Sequence, residues 1–281
     1  MSKFFNETQK VNQWAQQKTA NQDLDIKQML DTLKHGPVSD PQVADTRLNL
    51  CRQVTLGNDT AARLILRQDD SSQAALEAYR GLRTRLMRAQ AKSGLRSIAI
   101  TSSLPHEGKT LTTMNLGLCY AQLAQQRVLV IDGDLRTCGL TSMLDHSKAP
   151  GLADVLAGDV TPDEAIVATN HKNLFVLPAG TVASPPPELF SGPRWQEFLG
   201  VCNEMFKVIL IDTPPILPLA DFELISAACD GIVMVVRAHY GQRETLQKTA
   251  STLDPKKLLG VVFNATDVGA KNYYGYGYGK N

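Results

Sequence analysis

The fold of this chain is decided by the stretch Ile98-Ala99-Ile100-Thr101-Ser102-Ser103-Leu104-Pro105-His106-Glu107-Gly108-Lys109-Thr110. An apolar run, a short polar loop and Gly-Lys-Thr at the start of a helical pattern predict a strand, a phosphate-binding loop and a helix. In such a loop the backbone N–H groups and the positive end of the helix dipole face the phosphates. Lys109 then reaches the β- and γ-oxygens, and the Thr110 hydroxyl ligates Mg²⁺. The stretch therefore predicts a nucleoside triphosphate site formed by Ser103, Glu107, Gly108, Lys109, Thr110 and Leu111.

Two residues of this loop depart from the usual pattern. Ser103 stands where Gly or Ala is common, and His106 stands where many such loops have another Gly. Glycine adopts positive φ without a Cβ clash, whereas His only tolerates that region. A chance loop in a solvated turn is the alternative, but the strand before, the helix after and the acidic motifs below favour the nucleotide site.

Composition sets broad limits on the protein. Its 281 residues, 43% of them hydrophobic, suit one large α/β domain with an appendage. A net charge of +1 gives no pull toward nucleic acid, which we do not expect as a partner. The five cysteines lack CxxC spacing and read as reduced thiols of a cytoplasmic protein. Since no apolar run reaches the ~18 residues of a membrane span, any recruitment to a membrane would come through a partner.

Patterning divides the chain into three parts. Residues 1–70 predict a helical or partly disordered extension, 71–270 the nucleotide-binding domain, and 271–281 a flexible tyrosine-rich tail. Within the second part, short β-branched runs alternate with helical patterns, and we expect strands at 95–101, 127–131, 173–177, 206–211, 231–236 and 258–263. Nearly continuous apolar strands are expected where both faces of a sheet are covered. The fold class is therefore α/β, a doubly wound, mostly parallel sheet of the P-loop NTPase type.

Acidic residues follow two of the predicted strands. Asp132 and Asp134 come after Val128-Leu129-Val130-Ile131, and Asp212 follows the strand that ends at Ile211. Carboxylates at strand ends beside a phosphate loop can bind Mg²⁺ or orient an acceptor hydroxyl. A helix N-cap is the usual role of a single Asp after a strand, but the coincidence of these acids with the loop favours catalysis and metal binding.

Two further polar residues leave alternatives open. Arg136 either contacts phosphate or pairs with an acid, and the pairing is favoured slightly. Asn264, at the end of the last predicted strand, either contacts adenine or forms a turn, the commoner role of Asn.

Two further stretches carry a regular pattern. Glu77, Arg80 and Arg83 recur at i, i+3 and i+6 along one side of the helix predicted at 72–91. Spacing alone favours an ordinary solvated ion-pair face, and only the position just before the phosphate loop suggests a further role. Tyr273, Tyr274, Tyr276 and Tyr278 alternate with glycines that disfavour stable helix or strand. Such a tail suits presentation to another active site, although a low-complexity end would have the same composition.

These motifs together resemble the bacterial tyrosine autokinases of exopolysaccharide and capsule assembly. The resemblance covers about residues 71–281. It rests on Walker A (Ile98 to Thr110), Walker A′ (Val130-Ile131-Asp132-Gly133-Asp134-Leu135-Arg136), Walker B (Ile209 to Pro215), Glu77-Ala78-Tyr79-Arg80-Gly81-Leu82-Arg83 and the tail. The Tyr-Gly repeats are especially similar to those of kinases linked to exosortase-associated loci.

The resemblance implies an Mg-ATP-dependent kinase that phosphorylates the four tail tyrosines in trans. Lys109, Asp132, Asp134 and Asp212 would be catalytic, with Thr110 and the three acids as metal ligands. Glu77, Arg80 and Arg83 would join subunits in a ring. The implied partners are an inner-membrane polysaccharide co-polymerase that activates the kinase and a cognate tyrosine phosphatase.

Two other interpretations stay open from the sequence. A positioning ATPase of the ParA/MinD kind would have a lysine five residues before the Walker lysine, where this chain has Leu104, and would lack the tail. A nucleotide-binding regulator of polysaccharide assembly with little catalysis would account for His106.

Overall fold

The computed structural model describes residues 48, 51–56, 70–144, 150–217 and 220–266. Contacts divide the chain into Met1–Leu50 and Cys51–Asn281, and the description below concerns the second unit. Its strands are β1 (Arg52–Val54), β2 (Ser97–Ser102), β3 (Val128–Asp132), β4 (Val167–Thr169), β5 (Leu174–Leu177), β6 (Val208–Asp212), β7 (Gly231–Arg237) and β8 (Leu258–Asn264). Its α-helices are α1 (Asp70–Ser93), α2 (Lys109–Ala121), α3 (Leu152–Ala157), α4 (Pro162–Ala165), α5 (Pro186–Ser191), α6 (Arg194–Met205), α7 (Asp221–Ala227) and α8 (Arg243–Thr252).

All described strands join one sheet in the order β1-β4-β5-β3-β6-β2-β7-β8. Every neighbouring pair is parallel except β4 and β5. The central strands β2, β3 and β6 are buried along their whole length, as near-continuous apolar runs predict for a sheet covered on both faces. The predicted fold class is thus confirmed, and all six strands expected from sequence are present.

The order of the sheet decides which strand ends meet. β2, which leads into the phosphate loop, lies between β6 and β7, and β3 lies on the far side of β6. Because these strands are parallel, their carboxyl ends share one edge of the sheet. The loop and both acidic motifs therefore come together.

Strands β1 and β4 were not expected from the sequence. Each has only three residues, which is too short for an alternating pattern to be read. β1 comes from the extension, where short helices were predicted, and that prediction is wrong for residues 52–54. Parallel pairing with β4 satisfies the backbone of β1 and decides its conformation. Apart from residues 48 and 51–56, the part of the extension before Asp70 lies outside the described residues.

Helix α2 begins directly after the phosphate loop and is largely buried in the core. It packs against β2, β3 and β6, and its buried residues include Met114, Leu116 and Tyr120. Helix α1 packs on α2 and ends where Gly94, at φ 70°, donates its N–H to the Gln90 carbonyl at 2.8 Å. No helix among the described residues is long and apolar enough to cross a membrane.

Two helical glycines should respond oppositely to substitution by alanine. A Cβ on Gly117 of α2 would lie 2.6 Å from Val130 Cγ2, whereas one on Gly200 of α6 would meet nothing within 4 Å. Overpacking typically costs about 1–3 kcal/mol, while Gly→Ala in an open helical position stabilises by about 0.5–1 kcal/mol. We expect Gly117→Ala to lower the free energy of unfolding in urea and Gly200→Ala to raise it. Stabilisation by both substitutions would contradict the close packing of α2 on β3.

Candidate active site

The phosphate loop connects the buried strand β2 to the first turn of α2. Gly108 caps the helix at φ 93°, and a Cβ there would lie 2.0 Å from Asn264 Nδ2. Any other residue type would be strained at this φ and would displace the Asn264 side-chain amide. His106 also has a positive φ, 64°, so the chain adopts at this non-glycine position the conformation for which glycine is the usual choice.

Glu107 is an internal part of the loop. Its side chain is buried, and Oε2 accepts the backbone N–H of Leu104 at 2.7 Å. The neighbouring Ser103 is also buried, and its hydroxyl has no hydrogen-bond partner among the described residues. Of these two residues predicted to bind the nucleotide, Glu107 therefore stabilises the loop, whereas Ser103 keeps a hydroxyl without a partner among the described residues.

Lys109 lies buried at the start of α2 and faces the acids. Its Nζ donates to Asp134 Oδ2 at 2.8 Å. Burial opposes the charge of Lys109, but the carboxylates of Asp212, Asp134 and Asp132 outweigh it and raise the pKa of the ammonium. Burial likewise opposes ionisation of Asp134, yet the Lys109 ammonium and the hydrogen bonds from Lys109 and Thr137 hold its pKa below the ordinary value.

Asp132 and Asp212 stand directly opposite each other at the ends of β3 and β6. Asp132 Oδ2 accepts the N–H and the hydroxyl of Thr141 at 2.7 and 2.6 Å, but its Oδ1 has no partner among the described residues. Neither oxygen of Asp212 accepts a well-formed hydrogen bond from the described residues, although the nearby Thr110 hydroxyl favours its ionised form. Burial raises the pKa of Asp132 to about 6 and that of Asp212 to about 7, and the mutual repulsion of the acids adds to both shifts.

These unsatisfied oxygens fit a divalent cation held jointly with phosphate. Buried carboxylate oxygens without donors need a proton or a cation. The described residues contain no cluster of three or more His, Cys, Asp or Glu side chains that could hold a metal ion by itself. Mg²⁺ is usually bound through one or two carboxylates and completed by phosphate oxygens and water. Asp132, Asp212 and the Thr110 hydroxyl are the donors that this arrangement offers.

The two residues with open alternatives both have partners within the protein. Arg136 forms a bidentate pair with the buried Asp221, with Nε–Oδ2 2.7 Å and Nη2–Oδ1 3.1 Å. Asn264 donates its amide to the Glu107 carbonyl at 2.9 Å, and its Oδ1 accepts the N–H of Ala265. Arg136 is thus found in the favoured ion pair, and Asn264 supports the loop. Contacts of either residue with a nucleotide stay predictions.

The three charged residues on α1 are separated by the structure. Glu77 and Arg80 form an exposed pair at 2.6 Å. Arg83 instead turns inward and donates to the Cys119 carbonyl in the last turn of α2, where helix carbonyls lack partners of their own. Tyr79, between them, contacts the Thr112 hydroxyl in the first turns of α2. The four tail tyrosines lie outside the described residues.

Sequence reasoning missed two residues that hold the site together. The Thr141 hydroxyl donates to Asp132 and accepts the backbone N–H of Ala179 at 2.7 Å. Thr213 Oγ1 donates to the Ile100 carbonyl at 3.0 Å, which links β6 to β2. Thr213 follows Asp212 directly, and this position in the sequence could have identified it. Thr141 offered no such signal, because only the folding of the loop after β3 brings it back to the end of that strand.

Comparisons with known proteins agree with this geometry. Residues 95–256 match the family model described as AAA domain. Tyrosine-protein kinase YwqD of Bacillus subtilis is 33% identical over 202 residues, which cover 71% of this chain and 85% of the relative. Tyrosine-protein kinase wzc of Salmonella typhimurium is 31% identical over 206 residues, which cover 73% of this chain and 28% of that longer relative.

A solved structure has the same fold. The kinase domain of the Escherichia coli tyrosine kinase ETK superposes with a TM-score of 0.67 at 25% sequence identity, covering 81% of this chain and 94% of that one. The positioning-ATPase interpretation is not favoured, since the relatives at this level of identity are named as tyrosine kinases. The chain therefore belongs to the family of bacterial tyrosine-protein kinases built on a P-loop domain.

Proposed function

We propose that this kinase transfers the γ-phosphoryl group of Mg-ATP to tyrosines of its own C-terminal tail, chiefly in a neighbouring subunit, and thereby regulates exopolysaccharide polymerisation and export. The observation that carries the proposal is the set of unsatisfied carboxylate oxygens on Asp132 and Asp212 beside the phosphate loop. They lie next to Lys109, whose ammonium is the natural counter-charge for a phosphate chain.

Each polar group at the site has a distinct part in this transfer. Lys109 and the loop amides bind the β- and γ-phosphates and stabilise negative charge as it develops. Thr110 and Asp212 would hold Mg²⁺, and the negative charges of Asp132 and Asp134 beside them would favour its binding. The metal supplies charge neutralisation for the phosphate oxygens when bound.

The acceptor tyrosine needs a carboxylate oxygen to orient its hydroxyl and take its proton. Asp134 is poorly suited, because Lys109 occupies its Oδ2 and the Thr137 N–H lies 3.2 Å from its Oδ1. Asp132 has Oδ1 free, while the two hydrogen bonds from Thr141 fix the orientation of the carboxylate. We therefore assign the proton acceptor to Asp132 and the positioning of Lys109 to Asp134.

Transfer between subunits requires an assembly. Glu77 and Arg80 are exposed on α1 and available for contact with another copy, and a ring would place each tail near a neighbour's site. Each phosphate adds about −1.5 to −2 charges near neutral pH, so four on one tail would repel each other and the acidic site. Phosphorylation would therefore dissociate the ring, and a cognate tyrosine phosphatase would remove the phosphates so that the ring can form again.

We propose that this kinase is cytoplasmic and that an inner-membrane polysaccharide co-polymerase recruits and activates it. This assignment comes from the family resemblance.

Incubation of the purified chain with Mg-ATP should add phosphates to the tail. We expect intact-mass steps of one phosphate each, mapped by peptide to Tyr273, Tyr274, Tyr276 or Tyr278, and none in Lys109→Met, which lacks the phosphate-binding ammonium. Bound ATP with no phosphotyrosine, even in the presence of candidate activator tails, would favour the regulator interpretation instead.

Two substitutions on α1 should have different effects, one on the assembly of subunits and the other on the stability of the fold. Arg80→Ala removes an exposed charge and should reduce assembly size and tail labelling, with Tm changed by no more than about 1 °C. Arg83→Ala removes a contact to the end of α2 and should lower Tm by several degrees, roughly 1 kcal/mol. Arg88→Ala, on the same helix, is the control. If light scattering shows the same assembly for Arg80→Ala as for the unmodified chain, the ring contact is wrong.

The raised pKa of Asp212 makes the stability of the nucleotide-free protein depend on pH. A folded pKa of about 7 against an ordinary value of 3.8 means that the folded state holds a proton which the unfolded state releases, so stability falls as pH rises from about 4 to 7. Asp212→Asn removes this cost, which is on the order of 2–4 kcal/mol above pH 7.

The gain in Tm for Asp212→Asn should therefore be small at pH 4 and reach roughly 5 °C or more at pH 7.5. Asp159→Asn, at an exposed position, is the matched control for the change of residue type. Equal gains at both pH values would mean that burial of Asp212 does not shift its titration.

A further inference from the structure

His106 occupies a left-handed position in the phosphate loop that its side chain does not favour. Its φ is 64°, and it lies two residues before Gly108, whose φ is also positive. Consecutive loop amides face a phosphate only if the backbone keeps this conformation. A residue with a Cβ adopts this conformation at a conformational cost that a contact from outside the loop can offset.

Arg237 at the end of β7 supplies such a restraint. Its Nη1 donates to the His106 carbonyl at 3.3 Å, and its backbone N–H points to Glu107 Oε1 at 3.4 Å. One residue thus contacts two successive positions of the loop. The sheet makes this possible because β7 is the direct neighbour of β2, with Val235 paired to Ser102.

The guanidinium of Arg237 is itself positioned. It lies over the ring of Tyr240, 5.5 Å from the ring centroid, at a distance typical of cation–π contacts. From the next strand, Asn264 stands opposite Arg237 in register and holds the Glu107 carbonyl. The C-terminal residues of β7 and β8 therefore hydrogen-bond to two adjacent loop residues, His106 and Glu107.

We infer that Arg237 is a positioning residue for nucleotide binding, which holds His106 in the left-handed conformation that the phosphate loop requires. This inference rests on the proposed use of the loop for a nucleotide. It explains how the chain tolerates His where glycine is usual. Arg237 acts through the loop backbone, so its effect should vanish when position 106 needs no restraint.

A double-mutant cycle tests this dependence. Affinity for fluorescent ATP would be measured for the unmodified chain, Arg237→Ala, His106→Gly and the double variant. We expect Arg237→Ala to weaken binding about tenfold in the otherwise unmodified chain and no more than about threefold in the His106→Gly background, as one lost hydrogen bond at a restrained position predicts. Arg237→Lys, which retains a donor, should recover part of the loss.

Two controls separate this from simpler explanations. Arg243→Ala removes an exposed cation six residues further along and should leave affinity unchanged, which excludes a general charge effect. Tm recorded for all variants shows whether any loss of binding is a loss of folding. Binding is the readout, so the result is independent of whether the tail becomes phosphorylated.

The cycle has distinct outcomes. An equal loss of affinity for Arg237→Ala in the presence of His106 and in the His106→Gly background would overturn the inference, because the effect of Arg237 would then not depend on the residue at position 106. No loss in either background would overturn it as well. Absence of phosphotyrosine with an intact cycle would instead refute the proposed kinase reaction and leave the positioning role standing.

Discussion

The site depends on the balance between one ammonium group and three buried carboxylates. Lys109 pairs with Asp134, while Asp132 and Asp212 bring more negative charge than this ammonium neutralises. Burial raises the pKa of Asp132 to about 6 and that of Asp212 to about 7, and repulsion from neighbouring carboxylates adds to both shifts, so without a bound cation the protonated forms are favoured. A bound metal ion with its phosphates would compensate the same negative charge. The buried carboxylates therefore determine both the stability of the nucleotide-free protein and its chemistry.

The phosphate loop is shaped from outside as much as by its own sequence. Glu107 closes the loop internally, whereas Arg237 and Asn264 reach it from β7 and β8. On the other side, Arg83 and Tyr79 connect α1 to the two ends of α2. The helix that carries the predicted subunit contact thus packs on the helix that carries Lys109.

Much of the architecture could be predicted because its signals are local. Runs such as Val208 to Ile211 and Ile232 to Val236 are long enough to mark buried strands, and Gly94 marks the end of α1. β1 and β4 could not be predicted, since three residues give no period and their pairing partner is distant in sequence. The same limit applies to Arg83, for which spacing suggested a surface contact and packing gave a capping one.

The sequence by itself determined the parts of the site: the loop ending in Gly108 and Lys109, and acids placed directly after apolar strands. Local chemistry suffices there, because a phosphate loop and a strand end are recognisable within a few residues. Only the tertiary structure decided which atoms remain unsatisfied and which residues support them. The oxygens of Asp132 and Asp212 that lack partners among the described residues, the contact of Thr141 with Ala179 and the contact of Arg237 with His106 depend on the packing of segments distant in sequence, up to 131 positions apart.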